Sequence, residues 1–212
     1  MLPPWFFIAA GMAIGLIPPR FFYGSSWRHV TLIDATTSGH LGDAGQYRTG
    51  IGSKRWWRMP LLWIDPIRGF FCAHLIAWGL YNSPMESSEQ IAIVLGVKCF
   101  CTFGVLAVQM EFGRQRAKDM MSPLPFLIGF IIGISYGSWL LGCSAALICL
   151  MACIGTRSFK MGYLIAGVVG GILSYPTLGL SANLGIFALT IMAPVPYAFL
   201  RGARLVFPLR RK

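Results

Sequence analysis

Long apolar stretches, separated by segments in which the basic residues are concentrated, constrain this chain more than any other feature of its sequence. Of the 212 residues, 56% are hydrophobic and only 12% are charged, a composition typical of a polytopic membrane protein rather than of a soluble domain. The apolar stretches cover residues 4–18, 61–81, 91–110, 124–154 and 161–200. Because a helix needs about 20 apolar residues to cross a bilayer, each of the last two stretches is too long for one crossing.

The positions of the basic residues divide these two long stretches. Basic residues flank residues 124–154 on both sides, and the same is true of residues 161–200. Since basic loops stay on the cytoplasmic side, both ends of each stretch are predicted to be cytoplasmic. Each stretch is therefore a predicted hairpin, with turns near residues 137–141 and 176–183. The flanking basic residues are Arg114, Arg116, Lys118, Arg157, Lys160 and Arg201.

The sequence therefore predicts an all-α fold, in which residues 1–212 form one membrane domain of about seven transmembrane helices. The N-terminus is predicted outside and the C-terminus inside, because all but two of the 18 basic residues, Arg68 and Lys98, then lie in cytoplasmic segments. The first stretch lacks the basic region of a signal peptide, so we expect it to remain as a helix. The predicted spans are residues 4–18, 61–81, 91–110, 124–137, 141–154, 161–175 and 183–200.

Glycines at every fourth position predict where these helices pack closely. Gly129, Gly133 and Gly137 form a GxxxGxxxG pattern, and the spacing recurs at Gly11 and Gly15. It also recurs at residues 167 and 171. Small residues spaced in this way let membrane helices approach each other closely.

Several partners and cofactors are not expected. The excess of 18 Lys and Arg over 7 Asp and Glu is explained by cytoplasmic loops, so nucleic acid is not a predicted partner. The six cysteines lie in apolar stretches without a CxxC pair and are predicted to be buried packing thiols. The spacing of the acidic and histidine side chains near residues 29–43 matches no familiar metal site. We therefore expect no metal and no cofactor, and the oligomeric state stays open.

One polar, glycine-rich segment stands between the first two apolar stretches: SGHLGDAGQYRTG, residues 38–50. Closely spaced glycines allow backbone N–H groups to converge on an anion, and a nearby arginine can grip that anion with two hydrogen bonds. The segment is not a P-loop, because Ile51 stands where a P-loop has lysine. It is predicted to bind phosphate. The alternative is an interfacial tether, since the loop closes with Lys54, Arg55, Trp56, Trp57 and Arg58.

This segment resembles a known family. Residues 38–48, SGHLGDAGQYR, resemble the first motif of the acyl-phosphate-dependent glycerol-3-phosphate acyltransferases, Ser-Gly-Asn-x-Gly-Ala-Thr-Asn-x-x-Arg. Residues 15–18, GLIP, resemble the family's Gly-Ser-Ile-Pro, and residues 64–69, IDPIRG, resemble its Ile/Leu-Asp-x-x-Lys-Gly. The basic segment 111–119 stands where the family has a Lys-Gly-Gly-Lys phosphate loop. Length, seven spans, topology and basic tail are also similar.

The chain departs from the family at several positions. His40, Ala44 and Gly45 replace two asparagines and a threonine of the first motif. The third predicted span contains no histidine where the family has a Gly-His pair. The glycine-rich phosphate loop becomes GRQRAK at residues 113–118, and Arg201 begins RGARL where the family has Arg-His-x-x-Asn.

The resemblance implies a membrane acyltransferase of phospholipid biosynthesis, which moves an acyl group from acyl phosphate to the 1-hydroxyl of glycerol 3-phosphate. Such a protein works at the cytoplasmic face of a cell membrane, here a bacterial inner membrane, in contact with membrane lipids. Acyl phosphate is already activated, so positioning and charge stabilisation suffice. The implied catalytic residues are Ser38, His40 and Asp65. The implied phosphate-binding residues are Ser38, Gly39, Gly42, Arg48, Arg68, Arg114, Arg116, Lys118 and Arg201.

Two other functions remain open. The replaced motif positions favour a degenerate relative that has lost catalysis and serves as a membrane binding or complex subunit, whereas Ser38, Arg48 and Asp65 favour the enzyme. A transporter of small anions or lipid precursors needs polar groups within its spans. His74 and Lys98 are such groups, at a depth of about 10 Å from the outer side, and we expect structural polar contacts for both. For Asp65 and Arg68, the alternative to a role in the site is a surface ion pair at spacing i, i+3.

Cysteine labelling from outside tests the predicted topology. In a cysteine-free protein, Ser87→Cys is expected to react with an impermeant maleimide, because its loop carries Glu86 and Glu89 and no basic residue. Ser53→Cys lies in the long basic loop and is expected to react only after the membrane is permeabilised. The opposite labelling pattern would contradict the topology and would remove residues 38–50 from the cytoplasmic face.

Overall fold

A computed structural model describes residues 3–19, 27–30, 61–83, 88–110, 119–179 and 181–210. The described chain is mostly helical. Its helices are α1 (Pro4–Gly15), α2 (Leu61–Tyr81), α3 (Ser88–Gln109), α4 (Leu124–Ile134), α5 (Trp139–Thr156), α6 (Phe159–Leu178), α7 (Ala182–Met192) and α8 (Pro194–Leu200). Its strands are β1 (Trp27–Val30), β2 (Asp119–Met121) and β3 (Arg204–Arg210).

Each of the seven predicted spans overlaps at least one helix, and the main differences are at helix ends. α2 has the predicted bounds, whereas α1 ends at Gly15, three residues before the predicted end. The last predicted span consists of two helices, α7 and α8, which are bent by 55° relative to each other. The bend lies at Ala193 and Pro194, where proline removes a backbone donor and its ring displaces the preceding turn.

Several of these helices are long and apolar enough to cross a membrane. In the part of the chain that the structure describes, α3, α5 and α6 meet this condition, and the bent pair α7–α8 adds a fourth if it is one span. α1 and α4 have 12 and 11 residues. At 1.5 Å per residue they are about 18 and 17 Å long, which is shorter than the hydrocarbon core of about 30 Å.

Glycines bring α1 and α4 against the backbone of α2. A Cβ added to Gly11 would lie 2.7 Å from the carbonyl oxygen of Cys72. Cβ atoms at Gly129 and Gly133 would collide with the backbone of Pro66 and Phe70. The predicted close packing at these glycines is confirmed. Gly137 instead has φ +85° and no neighbour within 4 Å of an added Cβ, because it lies in the turn between α4 and α5.

A three-stranded sheet of order β1-β3-β2 lies at one end of the helical bundle. β1 pairs antiparallel with β3, with Arg28 opposite Leu209. β2 pairs parallel with β3, with Met120 opposite Leu205. The all-α prediction missed this sheet, although helices make up most of the structure. The strands follow α1, α3 and α8, so three segments that were each predicted to be cytoplasmic meet at one end of the bundle.

We call this the sheet end, and we call the opposite end, with the α4–α5 and α6–α7 turns, the far end. Ser122 joins the sheet to α6. Its N–H donates to the carbonyl oxygen of Val206 over 2.8 Å, and its hydroxyl lies 2.6 Å from the hydroxyl of buried Tyr163. The hydrophobic core extends through the helical bundle, and its largest fully buried side chains include Phe126, Phe130, Met110 and Met120.

A pair of glycine variants tests the packing of α4 on α2. Gly129→Ala is expected to lower the free energy of unfolding by about 1–3 kcal/mol, because the new methyl group must displace backbone rather than a flexible side chain. Gly104→Ala is the matched control, since nothing lies within 4 Å of an added Cβ there. This control is expected to leave stability unchanged or to raise it slightly.

Thermal unfolding in mild detergent, followed by tryptophan fluorescence, measures both variants. Equal unfolding midpoints for Gly129→Ala and Gly104→Ala would contradict the close approach of α4 and α2.

Candidate functional site

The second helix carries an ion pair inside the bundle. Nη1 of Arg68 donates to Oδ1 of Asp65 over 2.7 Å. Asp65 is 1% exposed and Arg68 is 8% exposed. The spacing i, i+3 places both side chains on one face of α2, but the pair is buried and is not the surface pair that the sequence left as an alternative. The guanidinium carbon also lies 5.7 Å from the ring centroid of Phe126, within the range of a cation–π contact.

The same guanidinium holds the end of α1. Its Nη2 donates to the carbonyl oxygen of Ile17 over 2.6 Å and lies 3.4 Å from that of Ile14. α1 ends here because Pro18 and Pro19 follow, which restrict the backbone before them and lack N–H donors. The last carbonyl groups of a helix have no partner within the helix. Arg68 supplies that partner from another helix.

Gln109, the last residue of α3, completes this arrangement. Its Nε2 donates to the carbonyl oxygens of Gly15 and Ile17, over 2.6 and 2.9 Å. The side chain is 1% exposed, and a buried carboxamide without partners would be costly. We call Asp65, Arg68, Gln109 and the carbonyl groups of Gly15 and Ile17 the α1 clamp. The sequence interpretation missed Gln109, although a carboxamide inside an apolar stretch is a visible signal.

The clamp brings together the two ends of the long polar loop. Ile17 lies shortly before residues 20–60, and Asp65 lies shortly after them. Within that loop, β1 pairs with β3 in the sheet. The predicted site residues Ser38, Gly39, His40, Gly42, Arg48, Arg114, Arg116 and Lys118 lie outside the described residues, so their roles remain predictions.

Arg201 is the remaining predicted phosphate-binding residue. It follows α8 and is exposed. Its guanidinium carbon lies 5.8 Å from the ring centroid of Tyr197. β3 begins three residues later at Arg204, so Arg201 lies where the chain leaves the helices for the sheet. Arg201 therefore belongs to the sheet end. Asp65 and Arg68 also lie there, because Arg68 binds the end of α1, which precedes β1.

The two ionisable residues predicted within spans have different surroundings. Nζ of Lys98 donates to Oδ1 of Asn183 over 2.8 Å, a contact that joins α3 to α7. The imidazole of His74 stacks on Phe70 and Trp139, with centroid separations of 5.5 and 5.9 Å. Its Nδ1 is buried and has no hydrogen-bond partner among the described residues. Lys98 therefore makes the expected polar contact. His74 instead stacks on aromatic rings, and its Nδ1 makes no polar contact with the described residues.

The six cysteines differ in their burial. Cys72, Cys101, Cys149 and Cys153 are buried free thiols, as predicted, whereas Cys99 is half-buried and Cys143 is exposed. No group of three His, Cys, Asp or Glu side chains in the described ranges is arranged to hold a metal ion.

Comparison of the chain with protein-family models, with characterised proteins and with solved structures gives no match. The likeness to the glycerol-3-phosphate acyltransferases therefore depends on the residues themselves, chiefly those between positions 15 and 69. It remains a prediction.

A double-mutant cycle tests whether the α1 clamp supports the fold. Arg68→Gln is expected to lower the free energy of unfolding by about 3–5 kcal/mol, because it removes the guanidinium that pairs with the buried Asp65 carboxylate. Asp65→Asn is expected to have an effect of the same sign. The double variant should be less destabilised than the sum of the two, since neither charge then remains buried.

Arg204→Gln is the control, because this arginine is exposed and surface changes usually alter stability by less than about 0.5 kcal/mol. Additive effects of the two clamp substitutions in thermal unfolding would contradict a buried, coupled pair.

Proposed function

We propose that this chain is a multi-pass membrane acyltransferase that transfers an acyl group from acyl phosphate to the 1-hydroxyl of glycerol 3-phosphate. The proposal places phosphate binding at the sheet end and places that end at the cytoplasmic face. It includes about seven membrane crossings with the N-terminus outside. The motif at residues 38–48 and the arrangement of the sheet end support it.

One observation carries the proposal: the three segments with predicted anion-binding residues all begin or end in the clamp or the sheet. The long loop starts beside Ile17, contributes β1 and returns to Asp65. The basic segment 111–118 lies between Gln109 of the clamp and β2. The tail contributes β3, which begins three residues after Arg201. Segments far apart in sequence thus have their anchors at one end of the bundle.

This arrangement suits a reaction between two phosphate compounds, one of which carries an alkyl chain. The basic segments supply cations for both phosphates, and the neighbouring apolar helices provide a surface for the chain. In the reaction, the 1-hydroxyl oxygen bonds to the acyl carbon and the bond from that carbon to the phosphate oxygen breaks. The leaving inorganic phosphate takes up the hydroxyl proton. The protein contributes orientation and charge stabilisation.

The roles of individual residues follow from this chemistry. Ser38 and the backbone N–H groups near Gly39 and Gly42 bind one phosphate, and Arg48 grips it with two parallel hydrogen bonds. His40 donates a further hydrogen bond. Arg114, Arg116 and Lys118 bind the second phosphate, assisted by Arg201. Asp65 acts as a positioning residue through Arg68, because its carboxylate is already engaged with that guanidinium.

A non-catalytic membrane binding or complex subunit is the second candidate. One observation favours it: Arg68 donates to Asp65 and to the end of α1, and this geometry has a structural explanation that needs no substrate. The replaced asparagine and threonine positions of the motif point in the same direction.

A turnover assay separates the two candidates. The purified protein, in phosphatidylcholine nanodiscs, is incubated with palmitoyl phosphate and radiolabelled glycerol 3-phosphate, and lipids are extracted and resolved. The acyltransferase proposal expects labelled lysophosphatidic acid that depends on both substrates. Folded protein that binds glycerol 3-phosphate without forming this product would contradict the enzyme and would support the binding subunit.

Arg48→Lys tests the phosphate cradle. Lysine keeps the charge but loses the planar pair of donors, so kcat/KM is expected to fall by about 30-fold or more, which corresponds to a loss of about 2–5 kcal/mol in transition-state binding. Arg55→Lys is the matched control in the same loop and is expected to turn over like the parent. Parent-like turnover of Arg48→Lys would instead support an interfacial tether.

A further inference from the structure

A cavity of about 450 Å³ opens at the far end, away from the proposed acyltransferase site. It lies between α2, α3, the α4–α5 turn and the α6–α7 turn. Most of its wall is apolar, with side chains such as Leu80, Val94, Leu141 and Phe187. Its volume falls within the range of about 300–1,000 Å³ that is common for small-molecule sites.

Lys98 gives this apolar cavity a positive charge. Its side chain is half-buried and lines the wall. Among the described residues, Nζ of Lys98 donates to the neutral amide oxygen of Asn183 over 2.8 Å. An ammonium group has three donors, and a neutral partner does not compensate its charge. Because ionisable groups are costly within a membrane, an anion at this position would stabilise the site.

Two helix N-termini add to the positive potential around Lys98. Ser138 precedes α5, Ser181 precedes α7, and both residues line the cavity. Neither serine side chain caps its own helix by a hydrogen bond. The first N–H groups of a helix carry a partial positive charge and favour anions. The cation and both helix starts therefore favour the same kind of ligand.

We propose that the far-end cavity binds a single-chain anionic amphiphile. The anionic head lies at Lys98 and the two helix starts, and the alkyl chain lies along the apolar wall. Charge complementarity selects the head, whereas the apolar side chains and the limited volume select one chain rather than two. This site is separate from the acyltransferase site, and the proposal does not depend on that activity.

Equilibrium binding to the full-length protein in phosphatidylcholine nanodiscs tests this site. The probe is radiolabelled dodecanoate, which lacks the phosphate group that the acyltransferase site is proposed to bind. Unlabelled dodecanoate, dodecanol and inorganic phosphate serve as competitors. Dodecanoate is expected to compete at least ten times more effectively than dodecanol, because only dodecanoate carries a charge. Inorganic phosphate is expected to compete weakly, because it has no chain. Equal competition by dodecanol or by inorganic phosphate would overturn the proposal.

Substitutions at Lys98 then test whether the probe binds in the far-end cavity. Lys98→Met is expected to raise the Kd at least ten-fold, whereas Lys98→Arg should keep it within about three-fold of the parent, since the charge remains. Lys160→Met removes a cation at the sheet end and is the matched control, with an unchanged Kd. Parent-like binding by Lys98→Met would overturn the proposal.

Asn183→Asp provides a second test that does not depend on the folding of Lys98→Met. Asn183 is exposed, and the new carboxylate would lie beside the ammonium group at nearly constant side-chain volume. The variant is expected to raise the Kd at least ten-fold by pairing with Lys98. An unchanged Kd for Asn183→Asp would show that the head group lies elsewhere and would contradict the site.

Discussion

The carbonyl end of α1 is the constraint on which the rest of the described structure depends. A short helix that ends inside a membrane protein leaves carbonyl groups without water, and each unsatisfied group costs several kcal/mol. Arg68 from α2 and Gln109 from α3 donate to the carbonyl oxygens at this end. Asp65 balances the charge that Arg68 introduces. One polar arrangement therefore fixes the relative positions of three helices and satisfies a helix end that could not be solvated.

The location of the clamp links this packing problem to function. Because the clamp holds residues on both sides of the long loop, both ends of that loop lie at one end of the bundle. The sheet places two further segments at the same end: the tail, which contributes β3, and the chain after the basic segment 111–118, which contributes β2. In the function that we propose, cations from three separate segments act on substrates at this end. The far end instead contains an apolar cavity, with Lys98 in the part of its wall that the structure describes.

The sequence predicted the helices well because length and apolar composition determine them locally. Other features required contacts that no local pattern encodes. The bend at Pro194 reflects a proline within an apolar stretch that composition alone treats as continuous. The strands are short and lie in basic segments, and β3 needs partners about 85 and 180 residues away in the chain. Asp65 and Arg68 were predicted as site residues, but their burial and the contribution of Gln109 depend on α1.

The central claim is that the long loop and the tail meet in one sheet beside the α1 clamp, and disulfide cross-linking measures this directly. Arg28 and Leu209 are paired across β1 and β3, and paired Cα atoms in antiparallel strands lie about 4.5–5.5 Å apart, within disulfide range. In a cysteine-free protein, Arg28→Cys with Leu209→Cys should oxidise rapidly to one cross-linked band. Arg28→Cys with Val206→Cys, displaced by about 10 Å along β3, should not. Equal cross-linking of the two pairs, or none in either, would contradict the sheet. It would also remove the support for a common location of the segments that are predicted to bind anions.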